Sequence, residues 1–180
     1  MMIMVKTIDF SEKTWEPKEF RYVYSPLFSP TPRFKQENSC IVNDGDPASK
    51  KFDYVSIVTE KKYLVGTRVE TKCSFDKFGA PLIVFSDDMY RGENGEWYYG
   101  RHYEIVLYED GINVWGLNMN PGIKTYDLIM SLKFPVSAGE IHTLSVKILK
   151  SAMEIVKDDW KAVLRVPDLP AEFHVGLTAC

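Results

Sequence analysis

Gly100-Arg-His-Tyr-Glu-Ile-Val-Leu-Tyr-Glu-Asp-Gly-Ile-Asn-Val-Trp-Gly-Leu-Asn118 is the stretch whose reading decides the fold. Side chains alternate sides along a strand, so Tyr103, Ile105 and Leu107 share one face while Glu104, Val106 and Tyr108 share the other. Glu109-Asp110-Gly111 then breaks the alternation, and Asp-Gly between two such runs marks a hairpin because Gly accepts a positive φ. Two antiparallel strands follow, one face apolar and the other wet.

The same alternation extends outward through most of the chain. Strands are expected over Tyr54–Thr59, Tyr63–Phe75, Leu82–Ser86, Tyr98–Leu107, Ile112–Asn118, Leu128–Phe134, His142–Leu149, Glu154–Val156, Ala162–Val166 and Phe173–Thr178, separated by Gly, Pro, Asp or Asn turns. That spacing is typical of an all-β, antiparallel two-sheet sandwich. In Val65–Phe75 the side bearing Val69, Cys73 and Phe75 is apolar and the side bearing Arg68, Glu70 and Lys72 is charged, so one face is core and one is wet. The segment His142–Leu149 and the run to Val166 form a meander turning at Lys157–Trp160, with Trp160 packing at the hairpin end. Pro17, Pro26, Pro30 and Pro32 interrupt the N-terminal region, leaving only a short edge piece around Phe20–Tyr24. One domain spanning 1–180 is expected, with an irregular segment over about 1–53. A short helical turn fits near Asp44–Lys51, and no long helix is required.

Composition excludes several functions. A 180-residue chain with 45% hydrophobic content supports an ordinary core, and a formal net charge of −3 with scattered cations provides no field for a phosphate backbone; nucleic acid is not an expected partner. No window approaches the ~18 apolar residues of a membrane span, and the N-terminus lacks the pattern of a signal peptide. A cytoplasmic location is expected, although a secreted chain whose leader had been removed would read the same. Cys40, Cys73 and Cys180 have no metal-ligand spacing, nor do His102, His142 and His174, so neither a metal site nor a disulfide framework is indicated. Cys73, within an apolar strand pattern, reads as a small core residue. Asn43-Asp-Gly-Asp-Pro47 is a turn whose aspartates suit a structural calcium ion, but the remaining ligands of a calcium loop are missing; no cofactor is otherwise implied.

Carbohydrate recognition uses aromatic rings for apolar C–H faces, and carboxylate, amide or guanidinium groups for hydroxyls. Tyr90-Arg-Gly-Glu-Asn-Gly-Glu-Trp97-Tyr-Tyr99-Gly-Arg101-His102 has this composition, with glycines for reach. Its aromatics either form a binding loop or pack back over the edge of the core. Trp115 is either a core residue or a stacking platform, since it shares a side with Asn113 and Leu117. Glu104, on the wet face and expected beside Arg68 and Glu70, is a hydroxyl acceptor, a general acid or half of a cross-strand ion pair. The candidate ligand-binding set is therefore Arg68, Glu104, Tyr108, Tyr90, Trp97, Tyr99, Arg101, His102 and Trp115.

The order of these pieces resembles the concanavalin A-like lectin and glucanase superfamily. The resemblance rests on Gly66-Thr-Arg-Val-Glu-Thr71, on Tyr103–Trp115, on His142-Thr-Leu-Ser-Val-Lys-Ile148 and on Phe173-His-Val-Gly-Leu-Thr178. It covers roughly Tyr54–Cys180. It implies a jelly roll of two curved sheets holding a glycan on the concave one. Glucanases of the laminarinase type carry Glu-x-Asp-x-x-Glu on one strand, whereas the middle position here is Val106. Glu104 and Glu109 have opposite parity, so on a regular strand they face opposite sides, while retaining hydrolysis needs two carboxyl groups about 5–5.5 Å apart. A carbohydrate-binding protein is thus the expectation. The alternatives are a glycoside hydrolase or polysaccharide lyase of the same fold using Glu104 and Glu70, and a structural or protein-interaction module.

Overall fold

In a computed structural model, residues 5–11, 19–28, 30, 33–43, 45, 53–76 and 79–180 are described, and every regular element among them is a strand. In chain order these are β1 (Phe20–Tyr22), β2 (Phe34–Glu37), β3 (Cys40–Asn43), β4 (Val55–Thr59), β5 (Tyr63–Leu64), β6 (Arg68–Cys73), β7 (Pro81–Ser86) and β8 (Met89–Arg91). They continue with β9 (Trp97–Tyr99), β10 (Arg101–Tyr108), β11 (Gly111–Asn118), β12 (Thr125–Lys133), β13 (His142–Ile148), β14 (Ala152–Lys157), β15 (Trp160–Arg165) and β16 (Glu172–Ala179). A large sheet runs β1-β4-β16-β7-β10-β11-β12, with β5 added beside β16; a four-stranded sheet runs β15-β14-β13-β6. Two separate hairpins, β2-β3 and β8-β9, complete the described structure. All strand pairs are antiparallel.

The hairpin of β10 and β11 pairs Tyr108 with Gly111 across the turn residues Glu109 and Asp110. The positive φ falls on Gly111, at +138°, where a Cβ would stand 1.9 Å from the Leu132 carbonyl oxygen of β12. Glycine is therefore required for close strand approach as well as for the turn. Ile105, Leu107, Ile112 and Val114 are fully buried, and they meet Leu144, Val146, Ile148, Met153 and Ile155 of the smaller sheet. This is the core between the sheets, where each fully buried aliphatic side chain contributes about 1.5–3 kcal/mol.

A second apolar cluster lies on the other side of the large sheet. Val58, Leu82 and Val84 point there from β4 and β7, and Val23, Tyr54 and Tyr99 cover them, with Phe28, Met89, Trp97 and Cys180 packed around. Over β4, β16 and β7 the sheet is thus buried on both faces. Over β10, β11 and β12 the outer face stays accessible: Val106, Asn113 and Trp115 are half-buried, and Tyr126 and Leu128 are exposed.

Two expected strands are divided. Tyr63–Phe75 breaks at Gly66, with φ +98°, so β5 joins the large sheet and β6 the small one. Tyr98–Leu107 breaks at Gly100, where a Cβ would stand 2.6 Å from Asn120 Oδ1 and 2.7 Å from Asp88 Oδ2; β9 pairs with β8, and β10 with β7 and β11. The turn residues Asp44, Asp46 and Pro47, and almost all of the helical turn expected near Asp44–Lys51, lie outside the described residues. Cys73 packs against the inter-sheet core, where burial pushes its thiol up to about 12; burial likewise pushes Cys180 up to about 11, while Cys40 is exposed. Trp160 packs on Phe134 at a ring separation of 5.3 Å, closing the meander end.

Candidate functional site

Glu104 sits in the middle of the large sheet, on the outer side, with Val84 and Trp115 as its cross-strand partners. Its side chain is 12% exposed. The Tyr54 phenol donates a hydrogen bond of 2.7 Å to Oε1, and His102 Nε2 approaches the same oxygen at 3.4 Å. Burial, reinforced by the Glu104 charge, holds the Tyr54 phenol well above its ordinary range, so this group remains a donor. His102 is anchored by Nδ1, 3.0 Å from the Gly100 carbonyl, and its ring stacks on Tyr99 at 4.6 Å. The Tyr99 hydroxyl lies 2.6 Å from Ser56 Oγ, itself 2.6 Å from Thr178 Oγ1. A buried polar network therefore packs beside Glu104 on the outer face.

Trp115 lies beside Glu104 on the open half of the same face. A β-bulge between Val114 and Trp115 shifts the pairing with β12, so that Trp115 opposes Leu128 and Leu117 opposes Tyr126. Tyr126 is 44% exposed and Leu128 48%. Together with the half-buried indole they form an apolar shelf next to a carboxylate and the Asn113 amide. Rings with such polar neighbours suit an amphipathic ring ligand.

The structure separates the residues singled out by sequence. Glu104, Trp115 and Tyr108 share the outer face, with Tyr108 at the hairpin end, where Lys133 Nζ donates to its hydroxyl at 2.7 Å. Trp115 is on the accessible side, not in the inter-sheet core. Tyr99 and His102 are buried, so they flank Glu104 within the covered part of the outer face and do not meet solvent. Arg101 has the opposite parity from Glu104 and forms a two-point contact with Asp87, at 2.5 and 3.3 Å. Trp97 packs at the covered half, with the Arg21 guanidinium 4.6 Å from its ring centre. Tyr90 stacks on Tyr98 at 5.8 Å in the β8-β9 hairpin.

Arg68 and Glu70 stand on the solvent side of the small sheet, across the whole sandwich from Glu104. Arg68 pairs there with Glu154 at 2.5 Å and with Ser145 at 3.2 Å. The expectation that they flank Glu104 is corrected: alternation shows which side of a strand is wet but not which sheet the strand joins. Glu109 is exposed in the turn, and β10 pairs with β11 in unbroken register from Arg101 to Tyr108; no bulge brings the two glutamates to one side. Among the described residues no cluster of three or more His, Cys, Asp or Glu is arranged to hold a metal ion, and no helix is long and apolar enough to cross a membrane. Tyr54 and Tyr126 were not foreseen. Tyr126 belongs to a strand that begins three residues earlier than expected, at Thr125, and the alternation Tyr126, Leu128 is the signal that would have found it.

No protein-family model matches the sequence, and no curated protein matches it. Solved structures match by shape. A carbohydrate-binding module, CBM66 from Bacillus subtilis, superposes with a TM-score of 0.60 and 13% identity, over 89% of this chain and 90% of that one. A GlcNAcα1-4Gal-releasing endo-β-galactosidase from Clostridium perfringens gives 0.63 and 13%, over 94% of this chain. This chain spans about half of that enzyme, 54%. An endo-acting O-glycanase of the human gut microbiota gives 0.62 and 11%, over 94% and 82%. At such identities the likeness is one of fold: the chain has the antiparallel jelly-roll sandwich of concanavalin A-like type.

Proposed function

We propose that this protein binds a carbohydrate on the open half of the outer face, with Trp115 as the stacking ring and Glu104 as a hydroxyl acceptor. The observation that carries the reading is the half-exposed Trp115 beside the Glu104 carboxylate held by Tyr54, next to the exposed Tyr126 and Leu128. The carbohydrate-binding module and the two glycan-cleaving enzymes of the same fold support it. Asn113, Tyr108 and Tyr126 border the same surface. Calorimetric titration against a panel of neutral and acidic oligosaccharides tests the reading. Trp115→Ala should weaken binding about tenfold, or about 1.4 kcal/mol, in a chain that remains folded by circular dichroism; absence of any saccharide binding at millimolar concentration would refute it.

A hydrolase would need a second carboxyl group about 5–10 Å from Glu104. Neither Glu70, on the solvent side of the small sheet, nor Glu109, of opposite parity on an unbroken strand, shares the surface of Glu104. Binding is therefore the reading that the geometry favours.

A further inference from the structure

Consecutive residues on β9 point to opposite sides. Tyr99 turns onto His102 and the large sheet; Tyr98 turns away. On the Tyr98 side, Pro26 and Phe28 of the segment after β1 and Tyr90, Gly92, Glu93 and Asn94 of the β8-β9 hairpin line a shallow, open cleft of about 410 Å³.

The walls of this cleft are held in place. Tyr90 and Tyr98 stack at 5.8 Å, and Asn94 Nδ2 donates to the Tyr98 hydroxyl at 2.8 Å. The hairpin tip is closed by Gly92 N–H to Glu96 O at 2.8 Å and Arg91 Nε to Gly95 O at 2.9 Å. A Cβ at Gly92 would stand 2.7 Å from the Tyr98 ring, so glycine lets the tip close down on that ring. Phe28 stacks on Tyr54 at 5.6 Å, and Tyr54 is the residue bonded to Glu104, so one side chain of the cleft packs on the residue that holds Glu104. Glu93 is exposed and forms no ion pair with any described residue.

We propose that this cleft is a second saccharide subsite, taking a neutral sugar ring against Phe28 and the edge of the Tyr90–Tyr98 stack, with Glu93 and Asn94 receiving its hydroxyls. The inference rests on the carbohydrate reading above and extends it from one ring to a ligand of several units. Three aromatic side chains beside one carboxylate and one amide in an open cleft match the amphipathic character of a sugar ring. The charge in the lining is the Glu93 carboxylate, which repels sulfated and uronic sugars and so selects neutral ones.

The test is a nuclear magnetic resonance titration of the full chain with neutral glucose- and galactose-based oligosaccharides of one to six units, using the wild type, Tyr90→Ala and Glu93→Gln. Shifts at both Trp115 and the Tyr90–Asn94 segment are expected for the longer ligands. Each variant should weaken their binding at least fivefold while leaving single-sugar shifts at Trp115 unchanged. Glu93→Gln is an exposed, isosteric change that keeps the test valid if Tyr90→Ala unfolds the hairpin. Shifts confined to the Trp115 surface, with Glu93→Gln silent, would overturn the subsite and leave the first site standing. Absence of shifts anywhere would overturn the reading on which both depend.

Discussion

Gly176→Ala tests whether Tyr99 is sealed into the covered half of the sheet. Gly176 lies in β16 between Val58 and Val84, and a Cβ there would stand 2.7 Å from the Tyr99 hydroxyl and 3.0 Å from Val84 Cβ. The hydroxyl cannot retreat without leaving Ser56, 2.6 Å away. Overpacking a filled site costs about 1–3 kcal/mol, partly offset by roughly 0.5–1 kcal/mol from the smaller conformational freedom of Ala in the unfolded chain. The net loss should be about 1–2 kcal/mol, which for a chain of this size lowers the melting temperature by roughly 2–8 °C. Tyr99→Phe alone should cost about 0.5–1.5 kcal/mol, the net worth of the lost hydrogen bond. In the double variant the closest contact is gone, so the two costs should fall short of additivity by about 1 kcal/mol. Urea denaturation of the four proteins, followed by tryptophan fluorescence, measures this. Additivity within about 0.3–0.5 kcal/mol, or a stabilised Gly176→Ala, would refute the packing described. Tyr99→Phe that spared stability yet abolished saccharide binding would instead place Tyr99 at the ligand.

Asp158→Asn should remove an acid-side dependence of stability. Burial alone would raise the Asp158 carboxyl, but hydrogen bonds from Lys157, the Thr143 amide and His142 outweigh it and hold it down at about 2, against an ordinary 3.8. A depressed native value stabilises the fold above the unfolded value, and that contribution is lost as pH falls from about 4 through 2; melting temperatures across this window should therefore slope more steeply for the wild type than for the variant, whose Asn tolerates the φ of +51° at this turn. Equal slopes would show that the contacts of Asp158 do not persist in solution. Glu104→Gln should lower saccharide affinity about three- to tenfold, the difference between a charge-assisted and a neutral hydrogen bond, with folding intact; unchanged affinity by calorimetry would remove Glu104 from the site.

Where one face of a strand is dry and the other wet, the pattern was legible. In β10 the alternation assigned Ile105 and Leu107 to the core and Glu104 to the outer face, and packing agrees: Ile105 and Leu107 are fully buried between the sheets, while Glu104 and Val106 are only partly covered from outside. In β7, Leu82-Ile-Val-Phe85 is a continuous apolar run, which reports burial on both faces; this was the sign in the sequence that half of the large sheet is covered from outside. What covers it was not legible, since Val23, Tyr54 and Tyr99 come from segments too short and irregular to have a period. The candidate site divided for the same reason. Parity ties residues within one strand, so Glu104 and Tyr108 stayed together, but it is silent across a break such as Gly100, beyond which Tyr99 and Tyr90 belong to a different hairpin. Arg68 and Glu70 illustrate the other limit: register between distant strands depends on which sheet each joins, and that follows from packing of the whole chain rather than from local pattern.

The covered half of the face has a chemical consequence for the open half. Among the described residues, Glu104 Oε1 takes the hydrogen bond from Tyr54 and lies nearest His102, whereas Oε2 has no hydrogen-bond partner. The Tyr54 phenol is kept protonated by burial, so it donates to Oε1 and never competes for Oε2. Oε2 is thus left as an acceptor whose direction Tyr54 fixes through Oε1, beside an indole whose neighbours Leu128 and Tyr126 are open to solvent. Such an acceptor suits a hydroxyl donor carried on an apolar ring face. The same packing that buries Tyr99 and His102 holds the Glu104 carboxylate in place, as the proposed role of hydroxyl acceptor requires.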